Sequence, residues 1–361
     1  MGTKSTYLQS LGTLQLLAVI AVVIGHFWVK DNTFINSLCV SFCFVYSGFF
    51  TAMRHPFGKD YGLKEHTGFM LDKLARLYPL HVLAVALCIL TSMATGLSDG
   101  VSFKVILGHL TLLSPWIPIA GFYFGANPVA WFICDLFFLY LMAPLVVRLL
   151  KKIPVAWQVV LIVALLVAEY HLGYSADIKE NLGTGVIGAY YLYEFPPTRL
   201  LDFAAGIILY HVTLTSWWSK LKSRLTGRAA TLIELLGIVA FLALYHVGAT
   251  RIHTHCFRAF CASAPAVMAL LGSFLLTSER GGIVSKAMSI KPLAQLSTIN
   301  SEIYLLQFCG YFALLPLCNR LGITGNTAVH LPIVLTALCI ASWLIHYHYS
   351  VPLSRVLRPR H

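Results

Sequence analysis

Residues 11–29 read LGTLQLLAVIAVVIGHFWV and contain no Asp, Glu, Lys or Arg. An α-helix needs about 20 predominantly apolar residues to cross the hydrocarbon core of a bilayer, and this segment meets that length. Similar runs recur along the chain, of which 58% is apolar or aromatic and only 11% is charged. Soluble domains carry about 25% charged residues. The composition therefore excludes a soluble enzyme, a disordered chain and a disulfide-stapled secreted domain.

Ten apolar runs, separated by charged or Pro/Gly-rich segments, predict ten transmembrane helices. They are residues 11–29, 34–53, 77–97, 128–147, 155–173, 199–218, 229–249, 258–277, 293–318 and 329–350. A closed β-barrel is excluded because its strands are short and alternate in polarity. The sequence thus predicts an all-α polytopic membrane protein that forms one membrane domain over residues 1–361, without a separate soluble domain.

Lys and Arg are distributed unevenly over the loops between these helices. With the N-terminus inside, the six inner segments contain 19 of the 26 Lys and Arg residues. Cytoplasmic loops retain positive charge, so we expect both termini in the cytoplasm. The net charge of +12 follows from this asymmetry, because anionic lipid headgroups attract basic loops. The charge is therefore no evidence for a nucleic-acid partner, and membrane lipids are the expected neighbours.

Two predicted outer loops are longer than a simple connection requires. In residues 98–127, the apolar stretch 105–119 is interrupted by a histidine and two prolines, which predicts a short interfacial or re-entrant helix. The loop 174–198 contains several tyrosines and a glutamate. Aromatic and acidic residues suit sugar binding, and an aromatic belt at the membrane interface explains them equally well.

The cysteines and close histidine pairs do not predict a metal site. Most of the nine cysteines lie within apolar runs and form no CxxC pair, so we interpret them as small apolar packing residues. His253 and His255, like His346 and His348, are two residues apart and do not share a helical face. We expect no metal.

Ionisable side chains within the predicted spans are functional candidates, because each costs several kcal/mol unless it is paired or faces water. They are His26, Asp135, Glu169, Asp202, Glu234 and Glu302, with Arg199 at the start of a span. Glu169 and Glu234 lie in no recognisable motif. Pairing with tyrosines or a position near the interface explains these two as well as a function does.

His26 lies about 22 Å along the first predicted helix, toward the outer leaflet. Gln15 precedes it by eleven residues, so the two side chains share a face to within about 20° and stand about 16 Å apart. A polar stripe of this length can line a path for an extended ligand, with a titratable imidazole at one end. The alternative is a packed, hydrogen-bonded histidine.

Lys73 and Arg76 are three residues apart at the predicted cytosolic end of the third span, on one helical face. Two cations at this spacing are able to hold a phosphate or diphosphate. Anchoring of the span at the lipid headgroups explains them equally well.

Seven segments, in order along the chain, resemble motifs of the acyltransferase 3 family of integral-membrane acyltransferases. They are residues 7–26, 44–49, 73–80, 127–144, 197–206, 296–306 and 351–355. In the family's first span an Arg or Lys precedes a His by eleven positions, and KLARLYPL at 73–80 is similar to the basic RxxR motif followed by YPL. Each motif alone is weak, but their order over nearly the whole chain is specific.

The resemblance implies transfer of an acyl group from a cytosolic acyl-coenzyme A, usually acetyl-coenzyme A, to a hydroxyl of a cell-surface polysaccharide or lipid-linked sugar. Lys73 and Arg76 would hold the coenzyme A phosphates, and the pantetheine arm would extend between Gln15 and His26. His26 would act as general base on the acceptor hydroxyl, or alternatively carry the acyl group covalently. The protein would be a multi-pass protein of the cell membrane.

Four further residues receive roles through the same resemblance. Arg199, Asp202 and Tyr304 would orient the acceptor or stabilise developing charge. Asp135 would pair with a cation or position the imidazole.

The chain departs from the family pattern at several positions. Gln15 occupies the place of the Arg or Lys, and Asn300 and Gln307 stand where Ser and His are usual. These changes favour an alternative, a non-catalytic family member that assists polysaccharide export or synthesis, whereas the retained His26 favours an active O-acyltransferase. A secondary transporter is a further alternative, opposed by the absence from the sequence of an inverted pair of Gly/Pro-broken spans.

Overall fold

The computed structural model describes residues 2–29, 33–58, 60–181, 188–251, 259–324 and 327–358. These ranges are mainly helical and contain no strand. Nine of their helices are long and apolar enough to cross a membrane, and a bent helix pair makes up to ten. The prediction of an all-α polytopic membrane protein is therefore confirmed. The cytoplasmic position of the termini stays a prediction.

The helices of the described residues are, in chain order, α1 (Gly2–Trp28), α2 (Thr33–Arg54), α3 (Leu63–Ala94), α4 (Phe103–Leu110), α5 (Ala120–Tyr123), α6 (Trp131–Lys151), α7 (Val155–Asn181), α8 (Gly188–Tyr193), α9 (Leu200–Thr213), α10 (Ser216–Arg224), α11 (Gly227–Arg251), α12 (Phe260–Thr277), α13 (Ile283–Met288), α14 (Lys291–Leu296), α15 (Asn300–Arg320), α16 (Thr327–Ile345) and α17 (Val351–Leu357). Short 3₁₀ turns at Ser114–Trp116 and Ser297–Ile299 precede α5 and α15, and a π-helical turn at His346–Ser350 joins α16 to α17.

The chain forms two compact units. The first comprises Met1–Phe57, Met142–Tyr193 and Pro197–Thr298, and the second comprises Gly58–Leu141, Glu194–Pro196 and Ile299–His361. The prediction that residues 1–361 act as one membrane domain stays a prediction.

In the first unit, two glycines bring α2 and α9 into close contact. A Cβ atom at Gly48 would clash with the carbonyl oxygen of Phe203, and one at Gly206 would clash with the carbonyl oxygen of Val45. Small residues allow helix backbones to approach closely inside a membrane. Both glycines belong to the segments at 44–49 and 197–206, so this contact gives those motifs a physical reason.

Glu169 and Glu234 are satisfied by the starts of other helices in the first unit. Glu169 on α7 accepts hydrogen bonds from the backbone N–H groups of Phe260 (3.2 Å) and Cys261 (2.8 Å), where α12 begins. Glu234 on α11 accepts from the N–H of Gly282 at 2.8 Å. The first N–H groups of a helix lack partners within that helix. Both acids therefore act as caps supplied from a neighbouring helix.

The bent pair α9 and α10 replaces the predicted span 199–218. The chain turns by 69° between Thr213 and Ser216. The sequence of α10, SWWSKLKSR, carries basic residues that cannot follow α9 through the hydrocarbon region without cost. The apolar sequence therefore continues beyond Thr213, although the helix changes direction there.

In the second unit, α3 begins at Leu63 and not at the predicted residue 77. Its first turns are rich in charged residues, which lower hydropathy without stopping a helix. The Gly62 N–H donates to Glu65 Oε2 at 2.8 Å and so fixes the helix start. Pro79 lies inside the helix.

The segment after α3 contains the short helix α4 and a 3₁₀ turn, and the end of α4 packs against α3. The predicted interfacial or re-entrant position of this segment stays a prediction. Tyr78 donates its hydroxyl hydrogen to the Leu110 carbonyl at 2.8 Å. His81 Nε2 donates to the His109 carbonyl at 2.8 Å, and His109 Nε2 donates to the Phe122 carbonyl at 3.1 Å. Since α3 continues for about 24 Å beyond Tyr78, α4 packs far back along its length.

Candidate active site

Gln15 and His26 both lie on α1, in the first unit, and both are half-buried. The helix is continuous between them, so the predicted offset of about 20° and separation of about 16 Å hold. Leu17 is 50% exposed and lies about 180° around the helix from His26. The two polar residues are therefore only partly covered by protein, on the face opposite the exposed apolar side.

Asn36 on α2 lies against Gly25, the residue before His26, and the sequence did not predict it. A Cβ atom at the neighbouring Gly25 would clash with Asn36 Oδ1, so the missing side chain admits the amide. Asn36 is 7% exposed, and its Oδ1 accepts no hydrogen bond from the described residues. Its only sequence signal is a polar pair, Asn36 and Ser37, within an apolar run.

Arg199 and Asp202 form a fully buried ion pair at the start of α9. Arg199 Nη1 lies 3.3 Å from Asp202 Oδ2, and Arg199 Nη2 donates to the Leu192 carbonyl at 2.7 Å. The guanidinium also lies over the rings of Tyr193 (5.2 Å) and Phe44 (5.7 Å). Both charged side chains are 0% exposed. The sequence-predicted contact of this pair with an acceptor stays a prediction.

Lys73 and Arg76 lie about 15 and 20 Å into α3, in the second unit. Lys73 is half-buried, with Nζ 4.7 Å above the Tyr140 ring centroid and 5.1 Å above that of Phe69. Aromatic faces attract cations in this geometry. Arg76 is exposed. The two cations are thus unlike: one is held by rings, and the other faces solvent.

A second ion pair lies next to Lys73. Arg358 Nε lies 3.1 Å from Asp72 Oδ1, and both side chains are about 40% exposed. This contact neutralises the acid beside the basic pair. The sequence did not predict it, because nothing in the local spacing connects residue 358 with residue 72.

Asp135 and Tyr304 lie on helices that contact each other within the second unit. The Tyr304 ring is 4.9 Å from that of Phe132, one turn before Asp135 on α6. Asn127 Nδ2 donates to the Leu305 carbonyl at 3.0 Å and ties the start of α6 to α15. Asp135 is 0% exposed and Tyr304 5%. The structure therefore brings these two predicted residues to one region.

The residues that depart from the family pattern on α15 are buried. Gln307 is 0% exposed, and its Nε2 donates to the Tyr304 carbonyl of its own helix at 2.8 Å. Asn300 is 7% exposed. One hydrogen of the Gln307 side-chain amide is thus donated to a main-chain carbonyl.

Glu302 has a partner that the sequence did not reveal. His346 Nδ1 lies 2.9 Å from Glu302 Oε1, within the second unit. The described residues contain no group of three or more His, Cys, Asp and Glu side chains arranged to hold a metal ion. Of the close histidine pairs, His253 and His255 lie outside the described residues.

The predicted site residues are divided between the two units. The first contains Gln15, His26, Arg199 and Asp202, and the second contains Lys73, Arg76, Asp135 and Tyr304. Within each unit, the structure pairs Arg199 with Asp202 and brings Tyr304 close to the helix of Asp135.

Comparisons with known proteins agree with the motif order. A family model described as an acyltransferase domain matches residues 8–347. The acyltransferase MdmB of Streptomyces mycarofaciens is 29% identical over 194 residues, which cover 52% of this chain and 49% of that protein. The chain thus aligns with about half the length of this curated relative. No solved structure matches it significantly. Since the family model matches nearly the whole chain, the chain belongs to the acyltransferase 3 family.

Proposed function

We propose that this chain is a membrane O-acyltransferase that transfers an acyl group, acetyl in the first instance, from cytosolic acyl-coenzyme A to a hydroxyl of a cell-surface polysaccharide or lipid-linked sugar. Family membership supports acyl transfer, and the multi-pass fold supports a reaction in the cell membrane. The single observation that carries the proposal is the half-buried stripe of Gln15 and His26 on the face of α1 opposite exposed Leu17.

The donor phosphates bind to Lys73 and Arg76 in this proposal. Arg76 is exposed, and its guanidinium can form two parallel hydrogen bonds with a phosphate. Lys73 supplies a second charge, and its Nζ lies over two aromatic rings. A fixed cation loses less conformational entropy on binding than a freely rotating one.

His26 acts as the general base. Its imidazole removes the proton of the acceptor hydroxyl while that oxygen attacks the thioester carbonyl carbon. When the tetrahedral intermediate collapses, the carbon–sulfur bond breaks with its electron pair on sulfur, and the imidazolium returns the proton to the thiolate. Gln15 is about 16 Å away, so it contacts the donor chain and not the reacting carbonyl.

The remaining predicted site residues receive the roles that follow. Arg199 and Asp202 keep the proposed role of orienting the acceptor or stabilising developing charge, and their buried ion pair also fixes the start of α9. Tyr304 retains slight exposure and carries a hydroxyl, so it orients the acceptor or stabilises developing charge. Asp135 pairs with a cation or positions the imidazole in this proposal.

A non-catalytic role in polysaccharide export or synthesis is the second candidate. The observation that favours it is the hydrogen bond of Gln307 to its own helix, because an amide bound in this way does not replace the acid–base chemistry of a histidine. The uncharged Gln15 favours it as well.

The first experiment measures binding and turnover of radiolabelled acetyl-coenzyme A by detergent-purified protein. We expect the double variant Lys73→Ala/Arg76→Ala to bind at least about tenfold more weakly, because each charge-assisted hydrogen bond contributes about 1.5–3 kcal/mol. Lys64→Ala, an exposed cation on the same helix, is the matched control and keeps wild-type affinity.

The same assay tests His26. We expect His26→Ala to retain donor binding and to lose about 100-fold or more in release of coenzyme A, the usual contribution of a general base. His171→Ala, an exposed histidine on α7, is the control. Full activity of His26→Ala would overturn the assigned base. A folded wild-type protein that does not bind acetyl-coenzyme A would favour the export role.

A further inference from the structure

Glu302 and His346 form an imidazole–carboxylate pair, and the other ring nitrogen of His346, Nε2, is available for a further contact. The Nδ1–Oε1 distance is 2.9 Å, and the side chains of Glu302 and His346 are 4% and 17% exposed. A carboxylate only accepts hydrogen bonds, so Nδ1 carries the hydrogen. Nε2 makes no hydrogen bond with the described residues. It is also not one of the side-chain nitrogen and oxygen atoms that are buried without a hydrogen-bond partner.

The π-helical turn keeps His346 on the inward face of the last helix. Val334, Leu338 and Ser342 are buried at intervals of four residues, whereas an ideal α-helix drifts by about 40° over each such step. The turn at His346–Ser350 has i→i+5 hydrogen bonds and more residues per turn, which offsets this drift. Ser350 and His346 therefore continue the inward stripe, and π-turns of this kind occur often at functional sites.

Two contacts bring this helix to the part of α3 that carries the basic pair. Tyr349 donates its hydroxyl hydrogen to the Pro79 carbonyl at 3.2 Å, three residues beyond Arg76. Arg358 pairs with Asp72, adjacent to Lys73. His346 lies one turn from Tyr349, so it is within about two helical turns of Arg76 along the axis.

We propose that His346, oriented by Glu302, is a third contact for the phosphate end of the acyl-coenzyme A donor. This inference rests on the proposed function. The protonated imidazole donates a charge-assisted hydrogen bond from Nε2 to a phosphate oxygen, and the Glu302 carboxylate stabilises the imidazolium. Donor affinity therefore declines as the pH rises and the imidazole loses its proton.

Most other charged and titratable side chains on the elements packed against His346 belong to types that ordinarily titrate outside the pH range in which imidazole loses its proton. Histidines on these elements are the exceptions, among them His81 on α3, which donates to the His109 carbonyl at 2.8 Å, and the exposed His348, which the control variant His348→Gln tests. On α3, Lys73 and Arg76 stay cationic, and Asp72 is paired with Arg358. On the last helix, the Tyr349 hydroxyl is a neutral donor to the main chain. On α15, Glu302 is the paired acid. Imidazole is therefore the side-chain type in this set that ordinarily changes charge near neutral pH.

The test measures the affinity of the full chain for acetyl-dephospho-coenzyme A between about pH 6 and about pH 8.5. The dephospho form is the probe because the second pKa of a phosphate monoester is about 6 and would titrate in the same range. We expect the wild-type dissociation constant to rise about tenfold across this range, the loss of one charge-assisted contact. Binding of the probe tests the proposed function. The dependence of its dissociation constant on pH tests the contact with His346.

Three variants and one control isolate the role of the His346 imidazole. His346→Gln binds more weakly at the low end of the range and loses the slope. His346→Arg, a permanent cation, binds at all pH values as tightly as the wild type does at about pH 6, which also tests the contact if the Gln variant does not fold. Glu302→Gln weakens binding at low pH. His348→Gln, an exposed neighbour on the same helix, keeps the wild-type slope.

Several results would overturn the inference. A wild-type slope in His346→Gln, or equal losses at every pH, would show a structural pair and not a phosphate contact. Wild-type binding without any slope would also reject the contact while leaving the proposed function intact. Absence of wild-type binding at every pH would reject the proposed function, and this inference with it.

Discussion

At the residue scale, the proposed base depends on a glycine next to it. Gly25, the residue before His26, leaves room for the Asn36 amide, so the positions of α1 and α2 at this point are set by a missing side chain. Local motif matching does not reveal this, because the relevant contact joins two helices.

We predict that Gly25→Ala lowers turnover about tenfold or more while donor binding stays near that of the wild type. The added methyl group displaces Asn36 or the end of α1, and misplacement of a catalytic group by about 1 Å can cost about 100-fold in rate. Steady-state coenzyme A release and equilibrium binding separate the two effects. Gly272→Ala, where a Cβ meets nothing within 4 Å, is the control and should leave both unchanged.

At the element scale, carboxylates from one helix hold the starts of others. Glu234 is fully buried and accepts hydrogen bonds from Thr277 Oγ1 (3.0 Å), the Gly282 N–H (2.8 Å) and Ser285 Oγ (2.6 Å). It therefore connects α11 to the end of α12 and the start of α13.

We predict that Glu234→Ala lowers the free energy of unfolding by several kcal/mol, since each buried donor left without a partner costs about 1–3 kcal/mol. Thermal unfolding in detergent measures the change. Glu279→Ala is the matched control, because its ion pair with Lys222 is 63% exposed on the acid side and such pairs contribute about 0–1 kcal/mol. Equal stability of both variants would contradict the capping role.

The α4 segment gives a prediction for acidic pH. Burial lowers the pKa of His109 to about 4, and neighbouring His81 acts in the same direction, whereas the hydrogen bond to the Phe122 carbonyl opposes the shift. The unfolded chain binds this proton near pH 6.5 and the folded chain only near pH 4, so stability declines as the pH falls between these values.

We expect His109→Gln to lose less stability than the wild type between about pH 6.5 and about pH 4, because an amide does not titrate. Unfolding midpoints at several pH values measure the difference. The exposed His171→Gln should retain the wild-type dependence. A wild-type slope in His109→Gln would assign the acid sensitivity to other groups.

At the scale of the whole molecule, the charge distribution predicts the orientation in the membrane. We expect cysteines introduced at Lys64 and Lys286 to react with an impermeant thiol reagent only from the cytoplasmic side, and one at Lys104 only from the outer side. All three positions are exposed. The unsubstituted chain controls for its own cysteines, and labelling with the opposite sidedness would invert the predicted topology.

Hydropathy predicted most spans well. It failed where a helix continues through charged residues and where an apolar run continues across a bend. The start of α3 was wrong by fourteen residues because its charged turns at 63–76 remain helical outside the apolar run. The span 199–218 was wrong in shape because its apolar run continues across a 69° bend. Hydropathy measures the cost of a residue in hydrocarbon, and it carries no information on helix direction.

The candidate site was predicted in type but not in its contacts. The placement of Gln15 and His26 on one face follows from helical periodicity alone, and the structure retains it. The burial of Arg199 and Asp202 did not follow, because exposure depends on which helices cover a given face.

The sequence by itself determined the membrane class, the helical architecture and the family, because spans of about 20 apolar residues and ordered motifs are properties of local sequence. Only the tertiary structure decided which polar groups meet. Glu169 bonds to residues 91 and 92 positions away, and Glu302 pairs with His346 at a separation of 44. A buried charge requires a partner, but sequence spacing cannot identify one on another helix, since that choice depends on how the helices pack.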